Sequence, residues 1–66
     1  MVVTKEARDK VNLISKRLLA AAKHQNREEM FRLRNQIAEM VKKEEVPVLV
    51  LRNTDRVINI YFYKYW

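Results

Sequence analysis

Sixty-six residues with fourteen Lys/Arg, eight acids, one His, no Cys and no Gly make a single small basic domain. A chain of this size buries only about 60 % of its unfolded surface and ordinarily needs a disulfide, a metal or a partner chain for stability. The missing cysteines exclude disulfides and thiolate metal sites. The lone His24 excludes a His-based metal site within one chain, and the missing glycines exclude Gly-rich phosphate loops.

Self-association is the remaining device, so a homo-oligomer, a dimer first, is expected. No cofactor, small-molecule substrate or enzymatic activity is indicated, because no acid–base pair or nucleophile pair recurs at contact spacing. Ser15, for one, has no histidine at such a spacing. The N-terminal residues bring Lys5 and Glu6 in before any apolar run builds, which reads against a signal peptide. The longest apolar runs, 46–51 and 57–63, the latter broken by Asn59, fall well short of the ~20 residues of a membrane span. No membrane partner is therefore expected, and the expected location is cytoplasmic.

The charge is uneven. Of the formal +6, residues 1–25 carry +4, residues 26–45 are neutral and residues 46–66 carry +2. Such a surplus favours anionic partners, nucleic acid foremost.

In chain order, the spacing predicts a helix over about 4–23. Thr4 is placed to cap it, and Glu6 suits its first turn. Ala7, Val11, Ile14, Leu18 and Ala21 recur at intervals of four and three, a helical seam, and Leu13 and Leu19 broaden it towards burial on more than one side. His24-Gln25-Asn26 interrupts the pattern. Asn26 followed by Glu29 resembles a capping box and opens a second helix over about 27–45, with Met30, Leu33, Ile37 and Met40 as its seam. The short connection makes the two helices an antiparallel hairpin.

Pro47 ends that pattern, and the strongly β-branched and aromatic remainder predicts two strands, about 48–52 and 56–65, around the turn cluster Asn53-Thr54-Asp55. The expected fold is therefore α+β: a helical hairpin followed by a C-terminal β-hairpin, ααββ, with room for two helices only. One ribbon face would carry Leu49, Leu51, Ile58, Ile60 and Phe62, the other Val48, Val50, Val57, Asn59, Tyr61, Tyr63 and Tyr65. The second strand would overhang the first, and a long apolar edge needs cover. Tyr61, Phe62, Tyr63, Tyr65 and Trp66 are accordingly the expected oligomer interface, with base stacking as the other use of such aromatics.

No acid occurs between Asp9 and Glu28, whereas charges elsewhere pair at helical spacing, as in Glu6–Lys10 and Glu39–Lys43. Lys16, Arg17, Lys23, Arg27, Arg32 and Arg34 are therefore the candidate nucleic-acid contacts, in a small binding or regulatory protein. A solvated helix face is the ordinary alternative for such cations, and an exposed loop position the ordinary one for His24. Met30 and Met40 read as core filler. The second functional expectation is an assembly adaptor whose charge serves solubility or an acidic protein partner.

Overall fold

The computed structural model describes residues 3–65, with side chains placed over residues 3–63. Three helices follow one another: α1 (Lys5–Lys23), α2 (Arg27–Lys42) and α3 (Val48–Ile60), the last running on into a π-helical turn, Tyr61–Tyr65. No strand or sheet is present among the described residues, so the expected β-hairpin and the ααββ order are wrong.

The first two helices start and stop for local reasons. Thr4 sits in extended geometry, and its Oγ1 accepts a hydrogen bond from the Ala7 N–H at 3.1 Å. Asn26 does the same for α2, its Oδ1 accepting from the Glu29 N–H at 3.2 Å. The other half of that capping box does not form as a box would have it. The Glu29 carboxylate is turned outward to Arg32 at 2.9 Å. Both helices end in a Schellman motif. The Asn26 and Gln25 N–H groups donate to the Ala21 and Ala22 carbonyls, and the Glu45 and Glu44 N–H groups donate to the Met40 and Val41 carbonyls.

The stretch expected to form a ribbon is instead one continuous helical run. The three residues read as a turn are each accommodated within it. Thr54 Oγ1 donates to the Val50 carbonyl at 2.9 Å, satisfying a hydroxyl that would otherwise be buried without a partner. Asp55 accepts from Arg34 of α2, and Asn53 stays exposed. Thr54 and Ile58 are buried, with Val50, Leu51, Val57 and Tyr61 packed beside them, which is a period of 3.6 and not of two. β-propensity records how a side chain fits a half-buried surface, and here the surface of α2 supplies the burial. An isolated two-stranded hairpin, by contrast, is marginal in water.

The core is one cluster. Met30, Leu33, Ile37 and Met40 of α2 meet Ala7, Ile14, Leu18, Ala21 and Ala22 of α1 on one side. Val46 and Ile58 close the cluster on the other side. Helix α2 is thus the centre of the packing, while the seam between α1 and α3 is thinner than either of the other two. Contacts between α2 and α3 run antiparallel: Arg34 to Asp55, and Phe31 to Phe62 with ring centroids 5.5 Å apart, edge to face. Leu13 and Leu19, expected to deepen the burial of α1, remain 50 % and 45 % exposed. None of the described helices is long and apolar enough to cross a membrane.

Candidate anion-binding surface

The six cations singled out in the sequence do not gather into one patch. Arg34 reaches across to α3, its Nε 3.0 Å from one Asp55 oxygen and its Nη2 3.4 Å from the other, and Nη1 touches Asn35 at 3.3 Å. This forked geometry raises the Arg34 pKa: the hydrogen bond to Asp55 is the main cause, desolvation opposes it, and the charge of Asp55 adds to it. Arg32 is paired with Glu29 on the surface of α2. The Arg27 guanidinium lies 5.2 Å from the centroid of the Phe62 ring, a cation–π contact that ties the start of α2 to the turn beyond α3.

The three α1 cations separate by helical phase. Lys16 and Lys23 share the outer face with Lys5, at spacings of eleven and seven, and all three are exposed. Arg17 belongs to the opposite flank, in a groove against α2 where Lys10 and Lys43 alternate with Glu39 and Glu45. Lys16, Arg17 and Lys23 make no ion pair among the described residues. His24 is the exposed C-cap of α1, its N–H bonded to the Ala20 carbonyl.

The expected interface residues are redistributed as well. Tyr61 and Phe62 are half-buried against the core, whereas Tyr63 is 88 % exposed. The Tyr65 side chain and Trp66 lie outside the described residues. With no strand edge left to cover, the overhang that argued for self-association through these residues is gone.

A row absent from the sequence reading takes the place of the dispersed patch. Arg52, Arg56, Asn59 and Tyr63 recur at intervals of four, three and four along the outer face of α3 and its final turn, where they line one open depression. Eleven steps from Arg52 to Tyr63, at 1.5 Å each, make this row about 16 Å long. Asp55 also borders the depression, but its carboxylate is held by Arg34. Arg52 and Arg56 make no ion pair among the described residues. The spacing is helical and legible once α3 is taken as a helix; reading a strand, a turn and a strand divided the same residues among three elements.

The chain matches no family model, no curated protein and no solved structure.

Proposed function

We propose that this protein binds nucleic acid, with the outer face of α3 as the contact surface and the α1 lysines as auxiliary phosphate contacts. The observation that carries the reading is the Arg52–Arg56–Asn59–Tyr63 row: two unpaired guanidinium groups, an amide and an exposed phenol along one face of a helix. Guanidinium groups clamp phosphates or guanine edges in bidentate fashion, an asparagine can pair with adenine, and a tyrosine can stack on an unpaired base. A helix of this length fits the major groove of duplex DNA, about 12 Å wide.

Fluorescence anisotropy with labelled duplex and single-stranded oligonucleotides tests this. If Arg52, Arg56, Lys16 and Lys23 neutralise about two to four phosphates, log affinity should fall against log salt with a slope of about −2 to −4 on duplex. Reversing Arg52 and Arg56 to Glu should abolish binding and leave the helical circular dichroism unchanged. Arg17→Glu, on the far flank of α1, should have little effect. Absence of binding to duplex DNA, single-stranded DNA and RNA at low salt would end the proposal, as would full retention of binding by the double reversal.

A further inference from the structure

Helices α1 and α3 both pack on α2 but leave an open cleft of about 330 Å³ between themselves. Its apolar lining comes from Val11, Leu18 and Leu19 of α1 and Val50 and Val57 of α3, with Ser15, Asn53 and Thr54 supplying the polar atoms. Leu19 is 45 % exposed there, and Leu49 and Ile60 of α3 are exposed as well. Three or four residues along a helix bring side chains next to one another. At that spacing from the lining residues stand Arg8, Lys16 and Lys23 on α1 and Arg56 on α3, and no acid stands there on either helix. The groove on the other flank of α1 differs: Glu39 and Glu45 offset its cations.

We infer that the α1–α3 cleft is a docking groove for an amphipathic helix with an acidic polar face, supplied by another protein. Charge complementarity decides the occupant. An apolar stripe would seat against Val11, Leu19, Val50 and Val57, and flanking carboxylates would meet the cationic rim on both sides. A second copy of this chain is a poor occupant, because it brings another +6 and the same cationic rim to the contact. Nucleic acid is a poor occupant of the floor of the cleft, since its aliphatic side chains offer phosphate no hydrogen bond and the Thr54 hydroxyl is already donated to the Val50 carbonyl. A fourth helix here would close the bundle on its thinnest seam.

This inference goes beyond the nucleic-acid reading, and its test turns on Leu19, which is outside the α3 row. The probe is a fluorescein-labelled synthetic helix of about 18 residues, near the length of α1. It carries Leu at three- and four-residue spacing on one face and Glu elsewhere; a control probe has Lys in place of Glu. The full chain should bind the Glu probe and not the Lys probe. Leu19→Ser should weaken Glu-probe binding about tenfold or more. Leu13→Ser, an equally exposed leucine on the opposite flank, should leave it unchanged, with circular dichroism confirming that both variants are folded. Equal binding of both probes, equal loss in both variants, or no binding would each overturn the inference. So would a doubled mass of the parent chain in light scattering that Leu19→Ser abolishes, because a second copy would then occupy the cleft.

Discussion

Two of the described residues carry backbone conformations that their side chains disfavour. Gln25 and Glu44 have φ of 55° and 60°, the left-handed region, each at the position just past a helix cap. Most helices that end this way use glycine there, because a Cβ costs roughly 1–2 kcal/mol in that region. A chain with no glycine has to pay that cost at both helix ends. The motif persists because it satisfies the last carbonyls of α1 and α2, and because Asn26 serves twice. Its N–H closes the end of α1 on the Ala21 carbonyl at 2.9 Å, and its side chain caps α2. Gln25→Gly and Glu44→Gly should therefore each stabilise the fold. Part of the relief is offset by the greater freedom of glycine in the unfolded chain, leaving about 0.5–1 kcal/mol per site. For a domain of this size that is a rise of about 2–8 °C in melting temperature. A fall in melting temperature for both variants would show that the helix ends are not in this conformation.

At the scale of the elements, the decisive one is α3, and proline tests it. Asn53 is exposed and lies in the middle of this helix. Asn53→Pro removes a helical N–H donor and sets the ring against the preceding turn, costing about 3 kcal/mol or more, enough to unfold a marginal domain. In a β-turn the same position accepts proline readily, so a variant as stable as the parent would restore the hairpin. The contrast between α3 and the first two helices shows what was legible. In α2 the seam is clean, since Leu33 and Ile37 have polar or small neighbours; in α1 Leu13 and Leu19 adjoin Ile14 and Leu18, yet Ala7, Val11, Ile14, Leu18 and Ala21 still recur at intervals of four and three, which one period fits. From Val48 to Phe62 apolar residues stand at positions that suit both periods. The helical set, Val50, Thr54, Ile58 and Tyr61, includes a threonine that counts as polar until its hydroxyl is seen bonded to the Val50 carbonyl. The Arg34–Asp55 pair, 21 positions apart in sequence, was equally out of reach of any local pattern. The candidate site was hidden for the same reason: the Arg52–Arg56–Asn59–Tyr63 row is a row only on a helix.

For the molecule as a whole, α2 organises the packing and the two outer helices carry the cations of the proposed surfaces, Lys16 and Lys23 on α1 and Arg52 and Arg56 on α3. The particle measures 36 × 17 × 14 Å, so the outer faces of α1 and α3 make up much of its long surface. The cross-helix ion pair Arg34–Asp55 is partly exposed, and pairs of that kind contribute about 0–1 kcal/mol; stability rests instead on the cluster around Met30, Leu33, Ile37 and Val46. Both proposed surfaces, the α3 row and the α1–α3 cleft, exist only if residues 48–60 are helical, and that is the claim on which the account depends. Nuclear magnetic resonance of the full chain tests it most directly. Helical Cα shifts are expected over residues 48–60, with αN contacts between residues three apart across Arg52–Arg56 and ring contacts between Phe31 and Phe62. Extended shifts on either side of Asn53-Thr54-Asp55, with cross-strand contacts between Leu49 and Ile60, would contradict it.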